Sequence, residues 1–120
     1  MNTENAVQVI QRQLDAYNNK DLVALLNCYA EHSQLFNVEG EVLAKDKAHI
    51  AQNLAARFQE PDLYAELLER RVFDNVVIDH ERITRNFPEG RGTIDMLCIY
   101  VVEKQLIVRG TFKVFNQHLF

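Results

Sequence analysis

Cysteine is scarce in this 120-residue chain: two residues, Cys28 and Cys98, far apart and in unlike surroundings. That spacing excludes a disulfide scaffold and any CxxC-type metal knuckle, and predicts two buried free thiols in a reducing cytoplasm. Glycine and proline are also few, at 4 and 2. No linker, repeat or low-complexity tract interrupts the chain, which predicts one domain over 1–120. Long apolar runs are missing, so no membrane span is expected. The start, MNTENAVQVIQRQ, has neither a basic cluster nor an apolar core, so no signal peptide is expected. Positive charge is in deficit: 13 Lys and Arg against 17 Asp and Glu give a net charge of −4. A general nucleic-acid binder needs a basic stripe for phosphates, and none is present. HExxH, GxSxG and glycine-rich phosphate loops are absent, and four scattered histidines offer no metal spacing. No cofactor is implied.

What is present is ordered by period. Ala6, Ile10, Gln13, Leu14 and Tyr17 recur at helical spacing after a possible Thr3 cap. Asn18-Asn19-Lys20 breaks that helix. Asp21 caps a second one, with Leu22, Leu25, Leu26 and Tyr29 on its stripe. Gln34–Val38 and Glu41–Ala44 read as a small hairpin around Glu39-Gly40. Asp46 caps a third helix with Ile50, Leu54 and Phe58 inward, ended by Pro61. From Leu63 the period is two. Tyr64–Phe73, Val76–Arg85, Thr93–Glu103 and Leu106–Phe115 are the predicted strands, with His118 in a frayed tail. Helices followed by a run of strands predict an α+β fold.

Three phrases carry a family resemblance: YNNKDLVALLNCYAEHSQLF, EVLAKDKAHIAQNLAARF, and the pair NVVIDHERITRNFPEG and CIYVVEKQLIVRGTF. Together they resemble the nuclear transport factor 2-like superfamily, in its SnoaL-like, steroid-isomerase-related branch. Lys47 departs from the usual Gly or Arg of the third-helix entry. The resemblance implies a cone: three N-terminal helices packed on a strongly curved, mostly antiparallel sheet. It also implies an apolar pocket for a small apolar or partly polar ligand, and a homodimer through the outer sheet face. Phe112, Val114 and Phe115 supply apolar surface for that contact.

The resemblance implies site positions too. Ketosteroid isomerases place a Tyr on the first helix, a base at the end of the first strand, and a protonated Asp on a late strand. Here those positions read Gln13, Asn37 and Cys98. Asn takes no proton at neutral pH, and a thiol donates weakly. The steroid-isomerase mechanism is therefore disfavoured.

The stretch VVIDHERITR, residues 76–85, sets four polar residues inside a strand. If residues 84 and 94 face each other across the hairpin, His80 lies opposite Cys98 and points inward. Arg82 and Met96 then share that face. An inward imidazole is a candidate general acid or base, with Asp15 or Glu69 as an acidic partner. Asp79 and Glu81 then face outward, solvated or paired with Arg70 and Arg71. A one-residue slip reverses the assignment. The expected pocket is Gln13, Tyr17, Asn37, Arg82, Met96 and Cys98, with His80 as the catalytic candidate. The expected function is ligand binding, with cofactor-free isomerase, dehydratase or hydrolase chemistry by proton transfer. The alternative is a non-catalytic dimerisation or protein-interaction module.

Overall fold

Helix-forming and strand-forming halves of the chain meet across one sheet. The structure, a computed structural model, describes residues 5–120. Helix α1 spans Ala6–Asn18. The expected Thr3 cap lies outside the described residues. Asn5 caps the helix with a reciprocal box: its side chain accepts from Gln8 N–H, while the Gln8 side chain accepts from Asn5 N–H. Val9, Ile10, Gln13, Leu14 and Ala16 form the buried face. Helix α2, Leu22–Leu26, is capped by Asp21.

Strand β1 then runs Tyr29–Asn37, five residues earlier than expected at its start. Tyr29 is thus a strand residue, because α2 is only five residues long. Strand β2 is Val42–Ala44, and helix α3, Lys47–Arg57, is capped by Asp46. The third helix follows the first two strands rather than preceding the sheet. The long strands are β3 (Tyr64–Phe73), β4 (Val76–Phe87), β5 (Gly90–Glu103) and β6 (Leu106–Leu119). Together they make a six-stranded sheet in the order β2-β1-β6-β5-β4-β3, with β1 and β6 parallel and the other pairs antiparallel.

Irregularities bend the sheet. Register shifts lie between Leu67 and Glu69 in β3, between Tyr29 and Gln34 in β1, and at two places along β5 and β6. Each extra residue sharpens local twist and curvature. The helices cover the concave face. Val9, Ile10, Leu25, Ile50, Val77, Val102 and Ile107 form the main core there, and Leu14, Leu63, Ala65 and Ile83 a second cluster.

Strands β4, β5 and β6 all run past their expected ends. Pro88 and Glu89 form a two-residue turn, so Phe87 pairs with Gly90 where a longer loop was expected. His118 pairs with Thr93 rather than fraying. Gly92 makes this extension possible, since a Cβ there would collide with the His118 carbonyl oxygen. Backbone cannot yield as a flexible side chain can. Gly92→Ala is therefore expected to cost about 1–3 kcal/mol and to free the end of β6. Amide exchange at residues 117–119 should accelerate, and unchanged protection would contradict the packing described.

Among the described residues, no helix is long and apolar enough to cross a membrane. Neither cysteine is in a disulfide, and both are buried.

Candidate active site

A two-residue turn fixes which side chains enter the cone. Pairing Phe87 with Gly90 places Asp79, not His80, opposite Cys98, and Glu81 opposite Met96. The expected register is one residue out, so every side chain of β4 changes face. Val77, Asp79, Glu81 and Ile83 are the buried positions of the strand. His80 and Arg82 lie on the convex face.

There they hold a buried carboxylate. His80 Nε2 is 3.0 Å from Asp95 Oδ2. Arg82 donates from Nε to Oδ1 at 2.9 Å and from Nη2 to Oδ2 at 3.2 Å. The Arg82 hydrogen bonds are the main reason the Asp95 carboxyl is held down to about 2; burial opposes them, and His80, the Arg82 charge and Asn116 assist. The His80 ring also stacks on Phe115, with centroids 5.6 Å apart. This cluster closes the back of the sheet. The expected inward orientation of His80 and Arg82 is thereby corrected.

Asn37 is also outside the cavity. It closes the β1–β2 turn, accepting from Glu41 N–H at 2.9 Å and donating to Glu41 Oε1 at 2.7 Å. Asn beside a turn commonly serves backbone in this way.

The concave face encloses a cavity of about 670 Å³ between α1, α3 and strands β1, β4, β5 and β6. Gln13, Tyr17 and Met96 line it, as expected. Cys98 is fully buried and does not line it, but its thiol hydrogen-bonds to Glu81, which does. Burial pushes the Cys98 thiol well up, and the Glu81 charge adds to that. Sequence reasoning missed Glu81, Tyr29, Tyr100, Arg57 and Arg85, all of which line the cavity.

Glu81 is the chemically distinctive group. Its residue is 5% exposed. Burial, then the neighbouring Asp79 charge, push the carboxyl up to about 7; Arg70 and the Cys98 hydrogen bond pull the other way without prevailing. Asp79 itself is fully buried and clamped by Arg70, with Nε to Oδ1 at 2.7 Å and Nη2 to Oδ2 at 2.9 Å. The Arg70 fork is thus committed to Asp79, and Glu81 is left to a thiol and the cavity.

Three phenols line the same cavity as this carboxyl and feel its charge. Burial pushes Tyr29 and Tyr100 well above the ordinary range, so both are neutral hydroxyls at physiological pH. Gln13 hydrogen-bonds to the Tyr29 oxygen. Tyr17 packs edge-on against Phe58. Burial also raises its pKa, while the Arg57 guanidinium beside it acts the opposite way. Although Arg57 is that close, the Tyr17 hydroxyl is buried without a well-formed hydrogen bond. An unpartnered hydroxyl at a cavity wall is a donor held ready for a guest.

Next to Arg57, Arg85 grips Glu60 with both Nε and Nη2 at 2.7 Å, and Asn86 N–H adds a bond of 2.9 Å. Burial works against the Glu60 charge, but these donors outweigh it and lower its pKa. Among the described residues, no group of three or more His, Cys, Asp and Glu side chains is placed to hold a metal ion. The arrangement therefore offers a proton carrier, neutral hydroxyl donors and an apolar wall of Ile83, Ile94 and Met96.

The comparisons agree with this architecture. The model of the SnoaL-like domain matches residues 10–110. No match is found among curated proteins. An uncharacterised cystatin-fold protein from Novosphingobium aromaticivorans superposes with a TM-score of 0.85 at 21% identity, over 92% of this chain and 99% of its own. An NTF2-like protein of unknown function from Cytophaga hutchinsonii gives 0.78 at 15% identity, over 96% and 95%. A proposed polyketide cyclase from Sinorhizobium meliloti gives 0.73 at 18% identity, over 92% and 100%. At these identities the likeness is one of fold.

Proposed function

Because this chain belongs to the SnoaL-like domain family, we propose that its cone binds a small, mostly apolar molecule and that Glu81 moves a proton on it. The observation that carries this reading is a carboxyl at the cavity wall, only 5% exposed, whose nearby guanidinium is committed to Asp79; that burial pushes its pKa up to about 7. Such a group is half ionised at neutral pH, so it takes and returns a proton with little driving-force penalty. No cofactor is needed for the step.

The chemistry is carbon-acid proton transfer. The Glu81 carboxylate takes a hydrogen from the carbon next to a carbonyl. The C–H electron pair moves into the carbonyl and makes an enolate oxygen. A neutral hydroxyl on the cavity wall donates to that oxygen. The protonated Glu81 then returns the proton to the same carbon or to a conjugated one, giving exchange or isomerisation. Where the guest carries a β-hydroxyl, the enolate electrons form the carbon–carbon double bond, the C–O bond breaks, and protonated Glu81 gives its proton to the leaving oxygen, so that water departs. The Cys98 thiol steadies the carboxylate by a hydrogen bond, which makes it a positioning residue. The three positions that the steroid-isomerase pattern uses remain Gln13, Asn37 and Cys98, so the base sits elsewhere in this chain.

Entry of solvent deuterium at the α-carbon of cyclic ketones, beginning with 2-tetralone, tests the reading by NMR. The wild type should promote exchange with a rate that rises through pH 7. Glu81→Gln should slow it by about 10²–10⁴-fold, whereas His80→Gln, on the convex face, should leave it unchanged. Exchange at the wild-type rate in Glu81→Gln would contradict the assignment.

A second reading concerns the convex face. Ile78, Leu97, Ile99 and Val101 alternate with the inward residues of β4 and β5 and are only half-buried. Phe115 joins them from β6 as the register partner of Asp95, whereas Phe112 and Val114 line the cavity. We propose this face as the contact with a second copy of the chain, which leaves the cavity free for ligand. Of the three residues expected there, Phe115 alone is on the convex side.

A further inference from the structure

On the cavity wall formed by α1, the end of α3 and β4, one cation is left out of the two-pronged pairing that holds the other. Among the described residues that line the cavity, the acids are Glu60 and Glu81, and the cations are Arg57 and Arg85. Glu60 and Arg85 cancel each other in a two-pronged pair. Arg57, the last residue of α3, has no such partner. Its Nε stands 3.6 Å from Glu60 Oε2, beyond hydrogen-bond length, and its side chain is 34% exposed. The Glu60 oxygens already accept from Arg85 and from Asn86 N–H. Arg57 therefore reaches the cavity with N–H donors to spare. Beside it is the Tyr17 hydroxyl, buried, in reach of the Arg57 guanidinium and without a well-formed hydrogen bond.

A guanidinium and an unpartnered hydroxyl at one wall recognise an acceptor-only, negatively charged group. The guanidinium has no acceptor and repels an ammonium guest, and a fully hydrocarbon guest would strand both groups. Apolar lining residues, Ile83, Ile94 and Met96 among them, suit a ring or chain of carbon.

We propose that the ligand is an amphipathic organic acid, its carboxylate seated between Arg57 and the Tyr17 hydroxyl and its hydrocarbon body laid over Ile83, Ile94 and Met96 toward Glu81. This rests on the pocket reading above and names the chemical class of its guest. Tyr17 donates to one carboxylate oxygen and Arg57 to the other. Seated there, the acid is oriented so that its far end, not its carboxylate, meets the proton carrier. Glu60 acts indirectly: by occupying Arg85 it leaves Arg57 as the anion contact.

The test uses two probes of one shape, 2-naphthoate and its neutral amide, 2-naphthamide, titrated into the full chain by calorimetry at pH 8. Wild type should bind the acid at least tenfold more tightly than the amide, with a preference that shrinks as salt is added. Arg57→Gln should cut that preference about tenfold and Tyr17→Phe several-fold, while Arg57→Lys retains part of it. The ratio of the two affinities is the readout, so a general loss of affinity in a variant does not mimic the effect. Equal binding of the two probes by wild type, or a preference untouched by both Arg57→Gln and Tyr17→Phe, would overturn the anion assignment and leave the pocket standing. Binding of neither probe by wild type would overturn both.

Discussion

At pH 8 the Glu81→Gln protein is expected to be more stable than the wild type, by about 1–3 kcal/mol. Removing a buried charge causes the gain. The folded-state pKa of Glu81 is about 7, against an ordinary value of 4.5. The folded protein thus holds this proton more tightly than the unfolded chain does. Stability contributed by the protonated form is full below pH 4.5, declines as pH rises toward 7, and is absent above. Gln is a neutral mimic that never ionises, so its protein escapes the decline. The gap between the two proteins should be nearly closed at pH 4 and fully open by pH 8. Urea denaturation at the two pH values measures it. Asp95 does not interfere in this window. Its pKa is depressed to about 2 from 3.8, so its contribution is present above 3.8 and is lost only as pH falls toward 2. A Gln variant equally destabilised at both pH values would mean that Glu81 is an ion-pair partner and not a poised acid. Gain of stability on removing a functional group is the usual sign of a site held at a cost to the fold.

Arg70→Ala should do the opposite, and by more. Asp79 has no exposed surface, and both its oxygens are bound by the Arg70 fork. Arg70 also donates from Nη1 to Gln11 Oε1 at 2.8 Å, tying β3 to α1. Deleting the guanidinium strands a buried carboxylate beside a second one at Glu81. A loss of about 3–5 kcal/mol is expected. Because the Arg70 charge lowers the Glu81 pKa, the surviving fold should also carry Glu81 above 7. Replacing both partners, as Arg70→Met with Asp79→Leu, removes the stranded charge and should recover most of the loss. Thermal and urea unfolding of the single and double variants give the coupling directly. A single-variant cost under about 1 kcal/mol would place the pair with weak, solvent-exposed ion pairs and contradict the burial described.

Much of this architecture was readable from pattern. The Ile10, Gln13, Leu14 and Tyr17 spacing, and the Asp21 and Asp46 caps, located the helices because caps and apolar stripes are local properties. The inward placing of Gln13, Tyr17 and Met96 followed from the same periods and the family likeness. The face of β4 did not. Val76 and Ile78 make one face look apolar at the start, and Val77 and Ile83 do the same for the other. Alternation alone therefore could not choose between them. The deciding quantity was the length of the turn at Pro88-Glu89, a single residue of difference that sends His80 out and Glu81 in. Gly90, with a positive φ of 139°, was the available signal for a tight turn there. Tyr29 was placed on a helix because α2 stops at Leu26 without a Gly or Pro to mark it. The Arg85 pairing with Glu60, with Arg57 close by, brings together a β4 end, an α3 end and the loop after α3, a conjunction that only the assembled fold creates.

The measurement that bears most directly on the account is the titration of the Glu81 carboxyl carbon by ¹³C NMR, assigned by its disappearance in Glu81→Gln. A midpoint near pH 7 is predicted, moving upward in Arg70→Ala. A midpoint near 4.5, the value of a carboxyl in water, would contradict the buried proton carrier on which the proposed chemistry depends.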